Sequence, residues 1–289
     1  MVTGVQTCAL PILTVIKKGY VFMKSINKRK MIATALVISF LAQQSFMTSA
    51  LASDISGVTG SNGVYNINPT DVIGGMGFRK YENFTLSKGD IANLIFKYGK
   101  DNVSQFVNLV DNTININGLV NTVRDGKFYN GNAVFISPNG MVVGESGVLN
   151  VGSLSVYTPT QASYNAFVNN KYKGDLNKMQ QGTADVKIDG KVFAANNINI
   201  IGRDAAIGTH GALIAGVANQ GILTSNKASD ILFNSLVNTG NIKSADTLDL
   251  QNGNIVIKTT VNDGGIDIAG LVKNNGRSEE RRVGKECRS

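Results

Sequence analysis

Short alternating runs of apolar and polar residues dominate the chain between Ser53 and Gly276. Residues 185–188, 198–200 and 247–250 are examples, and a period of two is typical of strands. Dipeptides that favour tight turns separate the runs; they are Asn62-Gly63, Asn117-Gly118, Asn130-Gly131, Asp189-Gly190, Asn252-Gly253 and Asp263-Gly264. The pattern predicts an all-β fold. By itself it is compatible with a sandwich, a barrel or a solenoid.

An internal repeat favours the solenoid. A strand, glycine, strand pattern recurs at 116–120, 188–192, 237–242 and 268–272. The closest correspondence is between residues 189–200 and 239–250, an offset that would span two coils of about 25 residues each, within the range of solenoid repeats. Irregular repeats of this kind predict a right-handed parallel β-helix, in which each coil buries aliphatic side chains against its neighbours.

One stretch, residues 87–110, has helical rather than strand spacing. Ser87 and Asp90 form a capping pattern, and Ile91, Leu94, Ile95 and Tyr98 recur at helical intervals before Gly99. A second apolar face follows at Val103, Phe106, Val107 and Val110. The spacing predicts a short helical hairpin on the flank of the solenoid. A partner-binding helix is the other interpretation, and core packing is favoured because amphipathic spacing usually reports burial.

The amino-terminal region has the three parts of a secretory signal peptide in order. Lys24, Lys28, Arg29 and Lys30 are cationic, residues 31–42 are apolar, and Ala50-Leu51-Ala52 is a small-x-small cleavage site. Met23 is then the start, residues 23–52 the leader and Ser53 the mature terminus. A membrane anchor would need about 20 apolar residues. Residues 13–22 are either upstream translation or an extension of the leader.

The two ends differ from the rest of the chain. Residues 1–12 and 277–289 resemble in-frame translations of sequencing-adapter DNA, and we exclude both from the predicted domain. They contain the only cysteines, Cys8 and Cys287. Residues 1–52 carry six Lys or Arg and no acid, and residues 277–289 carry five basic and three acidic residues, so 17 of each sign remain between Ser53 and Gly276. A neutral, cysteine-free segment gives no indication of nucleic-acid binding and suits export in an unfolded state.

The most specific motif lies at residues 133–159. It contains Ser137-Pro138-Asn139-Gly140-Met141 and, after a strand-like run, Asn150-Val151-Gly152-Ser153-Leu154. Pro138 presets φ for a turn, Asn139 tolerates the next position and Gly140 lets the chain leave it. The block resembles the Asn-Pro-Asn-Gly-Ile and Val-Gly-Gly-Leu segments of the amino-terminal secretion domain of filamentous-haemagglutinin-type exoproteins. It differs from the family segment at two positions, with Ser at 137 in place of Asn and Met at 141 in place of Ile.

Further segments, at 77–84, 113–121 and 135–138, are similar to the leukotoxin-type filamentous adhesins of that group. The resemblance covers roughly residues 53–276. It implies a β-helical secretion domain, truncated here at its carboxy end, at the front of a long adhesin or leukotoxin. The resemblance also implies that residues 137–141 and 150–154 serve in recognition by the transporter or in nucleation of folding. Phe78, Asn83 and Phe84 are weaker candidates for the same role.

The resemblance also implies partners and a location. An outer-membrane barrel transporter with periplasmic recognition domains would export the chain to the surface of a diderm bacterium or into the medium. A downstream region would contact the host cell. The mature chain is expected to have no transmembrane helix.

Candidate chemistry is sparse, and we expect neither an enzyme nor a cofactor or metal site. His210 is the only histidine, and its surroundings are typical of a turn. The alternative function is a secreted β-helical enzyme acting on acidic polysaccharide, for which Asp246 with Asp249 or Asp263 with Asp267 would supply carboxylates. Such an enzyme also needs a basic residue nearby, and Arg203 is the only arginine between Arg124 and residue 277. Solvated turns are therefore the favoured interpretation of these aspartates.

Overall fold

A computed structural model describes residues 52–218, 220–237, 255–260 and 265–274. The adapter-like segments 1–12 and 277–289, residues 13–22 and the leader up to residue 51 lie outside the described residues. So do Asp246, Asp249 and Asp263, three of the four aspartates considered for the enzyme alternative.

Three sheets form the body of the molecule, and the strands are numbered β1 to β24 along the chain. Sheet A stacks β1 (Asp54–Ile55), β5 (Phe84–Leu86), β10 (Ile114–Ile116), β14 (Met141–Val143), β17 (Val186–Ile188), β20 (Ala205–Ile207) and β23 (Ile266–Ile268). Sheet B stacks β2 (Val64–Ile67), β6 (Ile91–Ile95), β11 (Leu119–Arg124), β15 (Val148–Val151), β18 (Lys191–Ala194), β21 (Ala212–Ala215) and β24 (Leu271–Asn274). Sheet C stacks β3 (Asp71–Ile73), β4 (Met76–Tyr81), β9 (Gln105–Val110), β13 (Asn132–Ile136), β16 (Ser153–Tyr157), β19 (Ile198–Gly202) and β22 (Ile255–Thr259). Outside these stacks, β12 (Lys127–Phe128) pairs with β11, and β7 (Lys97–Tyr98) pairs with β8 (Asp101–Asn102).

The chain visits the sheets in the repeating order A, B, C, which makes each round of three strands one coil of a parallel β-helix. Successive coils pair in parallel register, as in sheet A, where Phe84 lies beside Ile114, Ile114 beside Met141 and Met141 beside Val186. The side chains that point inward form one continuous apolar core between the sheets. The prediction of an all-β, parallel β-helical fold is confirmed.

The amino-terminal end of the core is closed by antiparallel strands. β1 pairs antiparallel with β5, and β3 pairs antiparallel with β4. Arg79 crosses this end, where its guanidinium donates to the main-chain oxygens of Gly57 at 2.5 Å and Asn68 at 3.1 Å. Together these groups form the amino-terminal cap, in which β1 and β3 occupy the edges of β5 and β4 that would otherwise be free to pair with other chains.

The sequence repeat marks the corner between sheets A and B. In the repeats at 116–120, 188–192 and 268–272, a glycine lies between a strand of sheet A and a strand of sheet B. At Gly190 an added Cβ would lie 2.2 Å from the Gly147 oxygen of the preceding coil, so the corner requires glycine because the coils approach so closely. The fourth repeat, at 237–242, and the segment 239–250 that resembles 189–200 lie outside the described residues except for Val237; the strand that the structure shows beside β19 is β22, where Ile200 lies beside Ile257.

The prediction of a helical hairpin at 87–110 is wrong, because this stretch contains β6 to β9. Ala92, Leu94 and Phe96 point into the core with strand periodicity. β9 is buried at almost every position because the coil interior covers one of its faces and a helix covers the other. A strand buried on both faces loses its polar alternation, which left only the helix-like spacing visible.

Two helices occur elsewhere in the described residues, each inserted between strands. α1 (Gln161–Asn169) follows β16 and packs on the outer face of sheet C through Tyr164 and Phe167. A short 3-10 helix (Leu176–Lys178) follows it. α2 (Asn226–Val237) follows β21 and packs on the outer face of sheet B through Leu232, Phe233 and Leu236. Over the described ranges, no helix is both long enough and apolar enough to cross a membrane.

Candidate functional site

The turn 137–141 joins β13 to β14 at the corner between sheets C and A. The main-chain oxygen of Ser137 accepts a hydrogen bond from the Gly140 N–H at 3.3 Å. The Ser137 hydroxyl accepts from the Asn139 N–H at 3.0 Å and donates to the Asn112 oxygen at 2.8 Å. Serine therefore closes the turn locally and ties it to the preceding coil.

Gly140 ties the same turn to the following coil. Its φ is +83°, and an added Cβ would lie 2.3 Å from the main-chain oxygen of Asp185. That oxygen accepts a hydrogen bond from the Met141 N–H at 3.2 Å, while the Gly140 oxygen accepts from the Ile114 N–H at 3.0 Å. The turn therefore contacts both the preceding and the following coil. Both the φ of Gly140 and its close contact with Asp185 require glycine at this position.

Asparagines line this corner in successive coils. The Asn139 amide donates to the Asp111 main-chain oxygen at 2.7 Å. One coil earlier, the Asn112 amide donates to the Asn83 side-chain oxygen at 2.7 Å, and Asn83 in turn donates to the Asp54 carboxylate at 2.8 Å. The structure thus places the weaker candidate Asn83 at the same corner as the turn, two coils before it.

Asp111 connects this corner to α1, and sequence reasoning did not identify it. Its carboxylate forms an ion pair with Lys80 and accepts a hydrogen bond from the Tyr164 hydroxyl at 2.9 Å. Burial, reinforced by the negative charge of Asp111, raises the pKa of Tyr164, so the phenol remains a donor. Thr160, which caps α1 through the Ser163 N–H at 3.2 Å, was the available sequence signal for this helix.

The second motif segment, 150–154, lies at a different corner of the same coil, between sheets B and C. Val151 and Leu154 point into the central core. At Gly152 an added Cβ would lie 2.5 Å from the Gly131 nitrogen of the preceding coil, and the Ser153 N–H donates to the Gly131 oxygen at 3.0 Å. The structure does not bring the two motif segments together, because sheets A and B separate them along the coil.

Asn150 belongs to a ladder of side-chain amides on the outer face of sheet B. Asn93 donates to Asn66 at 3.0 Å, Asn121 to Asn93 at 3.1 Å and Asn150 to Asn121 at 2.8 Å. Each of these asparagines lies beside the next in the strand register. The aligned amides thus link successive coils outside the core.

Residues 220–223, which we call the strap, cover the later half of this ladder. The Gln220 side chain donates to the Asn150 side-chain oxygen at 2.8 Å. Asn121 both donates to the Leu223 oxygen and accepts from the Leu223 N–H, each at 3.0 Å. Asn121 and Asn150 are fully buried beneath the strap. The strap had no signal in the sequence, because it meets strands that are far away along the chain.

The remaining candidates have structural surroundings. Phe84 points into the core, where its ring meets the edge of Phe135 at 5.6 Å, and it shares the register of Met141 through Ile114. Phe78 lies on the outer face of sheet C, where its ring stacks on Tyr172 with the ring centres 5.0 Å apart. Phe84 therefore supports the corner from inside, and Phe78 helps to hold the insertion that contains α1.

Among the groups considered for catalysis, Arg203 lies at the same corner between sheets C and A, where it pairs with Asp185, whereas His210 lies at the corner between sheets A and B. His210 is exposed in a turn between sheets A and B, with its Nδ1 3.4 Å from the Asp189 carboxylate. Arg203 binds Asp185 at 3.1 Å and Asp204 at 2.8 Å, so it has one acidic neighbour more than the sequence suggested. The hydrogen bond and charge of Asp185 raise the pKa of Arg203. Asp267 is exposed in β23. In the part of the chain that the structure describes, no three His, Cys, Asp or Glu side chains form a group suited to a metal.

No protein-family model, curated protein or solved structure matches the chain. The fold itself is a β-helix of stacked parallel sheets.

Proposed function

We propose that residues 53–276 form the secretion-targeting domain of a large surface-exposed or secreted filamentous adhesin or leukotoxin, exported by an outer-membrane partner transporter. The observation that carries the proposal is the turn 137–141. The residues most similar to the family's export motif contact the main-chain oxygen of Asp185 in the next coil, through the Met141 N–H and the close approach of Gly140. One segment can therefore serve both recognition of the chain and the start of its folding.

Burial of the motif favours recognition before folding. Ser137 and Met141 are each only 1 % exposed, and Asn139 is the one residue of this turn that is classed as exposed. A periplasmic domain of the transporter could read the serine and methionine side chains only while the chain is unfolded. On this proposal the folded turn is the product of export rather than the signal for it.

Stacking of coils would supply the direction of transport. Each coil that docks removes apolar side chains from water at roughly 25 cal/mol per Å², and a stacked coil is held by its neighbours. The amino-terminal cap of β1, β3 and Arg79 completes one end of the core, so stacking can start there without an earlier coil. This drive requires no nucleotide in the periplasm.

The proposal assigns host contact to the region downstream of this domain, and the choice between adhesion and leukocyte killing belongs to that region. A polysaccharide-cleaving enzyme has no comparable support. The Arg203 guanidinium forms salt bridges with the carboxylates of Asp185 and Asp204. Among the described residues, no third acidic side chain joins these two in a group suited to a metal.

Replacement of Asn139 by Ala, compared with Asn112→Ala, tests the proposal. Both side chains are exposed at the same corner and each donates one hydrogen bond across coils, at 2.7 Å. Only Asn139 belongs to the export motif. In cells with a partner transporter, we expect Asn139→Ala to reduce the amount in the medium several-fold more than Asn112→Ala, with equal amounts reaching the periplasm. Equal export of the two variants would refute a special role for this turn.

A further inference from the structure

The residue that follows the predicted cleavage site is anchored in the amino-terminal cap. The Ser53 hydroxyl donates to the Asp90 carboxylate at 2.5 Å and accepts from the Ser87 N–H at 2.8 Å. Ser53 directly precedes β1, which pairs with β5 of the next coil. These two hydrogen bonds therefore fix the first residue of the mature chain to the loop that follows β5.

Asp90 lies between the preceding and the following coil. The main-chain oxygen of Asp90 accepts from the Leu119 N–H at 2.9 Å, and the next N–H, that of Ile91, donates to the Gly63 oxygen at 2.7 Å. The side chain lies against Gly63, where an added Cβ would be 2.6 Å from Asp90 Oδ1. Within the described ranges, none of the ion pairs between Lys, Arg or His and a carboxylate includes Asp90. Asp90 is therefore a positioned carboxylate to which the described part of the chain supplies no cationic side chain.

We propose that cleavage of the leader after Ala52 creates an ion pair between the new α-ammonium group of Ser53 and the carboxylate of Asp90, which tightens the amino-terminal cap. This inference rests on the leader of the proposed export route. In the uncleaved chain the Ser53 nitrogen belongs to a neutral amide. Hydrolysis breaks the Ala52–Ser53 peptide bond with one water molecule, leaving a carboxylate on Ala52 and an ammonium on Ser53.

Covalent geometry places that charge beside Asp90. The α-nitrogen of a serine is three bonds from its hydroxyl oxygen, a separation of about 3 Å, and the Ser53 hydroxyl is itself in hydrogen-bond contact with Asp90. An α-amino group has an ordinary pKa of about 8, so it is mostly charged at neutral pH. Processing by signal peptidase would therefore strengthen the cap at which coil stacking begins, and a retained leader would leave it weaker.

The test uses the mature protein produced in cells without a partner transporter, so that it does not depend on export. The natural chain is compared with a variant carrying Gly-Ser inserted between Ala52 and Ser53, which keeps the Ser53 hydroxyl and displaces the ammonium. Asp90→Asn is introduced into both, and Asp54→Asn into both as the matched control. Sequencing verifies each amino terminus. The measurement is hydrogen-exchange protection of the Ser56 N–H, which donates to the Asn83 oxygen at 3.0 Å and reports opening of the cap.

We expect Asp90→Asn to lower this protection roughly two- to fivefold more in the natural chain than in the extended chain, a coupling of the size found for accessible ion pairs. Asp54→Asn should show no such difference between the two chains. Equal effects of Asp90→Asn in both chains, or a coupling at Asp54 instead, would overturn the inference while leaving the export proposal intact. A natural terminus other than Ser53 would overturn both the inference and the predicted leader.

Discussion

Gly140 and the main-chain oxygen of Asp185 approach so closely that no side chain can stand between them. An added Cβ would be 2.3 Å from that oxygen, and the residue already has a φ of +83°. Because Asp185 immediately precedes β17 of the next coil, the contact couples the shape of one turn to the docking of a later strand.

Replacement of Gly140 by Ala should destabilise the domain more than replacement of Gly126 by Ala. Both glycines have positive φ, +83° and +73°, but nothing lies within 4 Å of a Cβ added at Gly126. We expect Gly126→Ala to lower the free energy of unfolding by about 1 kcal/mol through backbone strain alone. Gly140→Ala should lower it by about 2 kcal/mol more, since Asp185 must also move. Urea unfolding of both variants measures the difference, and equal losses would show that the contact with Asp185 relaxes freely.

Replacement of Asn121 by Ala should loosen the strap. The change leaves the buried N–H and oxygen of Leu223 without their partner, and an unsatisfied buried group costs about 1–3 kcal/mol. Hydrogen exchange at the Leu223 N–H should accelerate accordingly. Asn66→Ala removes the exposed end of the same ladder, and we expect an effect within about 0.5 kcal/mol. If the two variants behave alike, the strap is held by α2 rather than by the ladder.

Alkaline pH should destabilise the fold through Tyr81. Burial raises the pKa of this phenol above its ordinary value of 10.0, and the charge of Arg79 opposes the shift in part. The unfolded chain therefore loses this proton first, so the contribution of Tyr81 is complete below about pH 10 and decreases as the pH rises above it.

We expect Tyr81→Phe to flatten the decline of unfolding free energy above about pH 10. At neutral pH it should lower stability by about 1 kcal/mol, because Asn108 loses the hydrogen bond that Tyr81 donates at 2.9 Å. Denaturant unfolding of both proteins across this pH range measures the slopes. Identical slopes for the two proteins would contradict the assignment to Tyr81.

Removal of residues 1–12 and 277–289 should leave the unfolding free energy and the circular dichroism spectrum unchanged. The expectation follows from their resemblance to adapter DNA, since neither continues the strand alternation of its neighbour. A trimmed protein that unfolds more readily, or genomic DNA that encodes these residues, would show that they belong to the natural chain.

Much of the fold was accessible from the sequence because it is encoded locally. The repeated strand, glycine, strand pattern at 116–120, 188–192 and 268–272 coincides with the corner between sheets A and B, where each of these coils needs a residue without a Cβ. The turn 137–141 was equally legible, because proline, asparagine and glycine each favour one position of a turn.

The errors arose where packing comes from distant parts of the chain. Residues 87–110 resembled a helix because α1 covers β9 from outside and removes its polar face. The part of the site contributed by Asp185, Tyr164 and the strap could not be foreseen either. Their contacts with Gly140, Asp111 and Asn121 depend on insertions between strands, whose docking no local pattern specifies.

The measurement that tests the proposed function most directly is release of the domain with and without a partner transporter. Cells of a diderm host would express residues 23–276, either alone or with an outer-membrane transporter of the two-partner secretion type from the same genome. We predict that the chain reaches the medium, beginning at Ser53, only when the transporter is present, and that it otherwise stays in the periplasm. Release that is equal with and without the transporter, or periplasmic retention in both, would contradict the account.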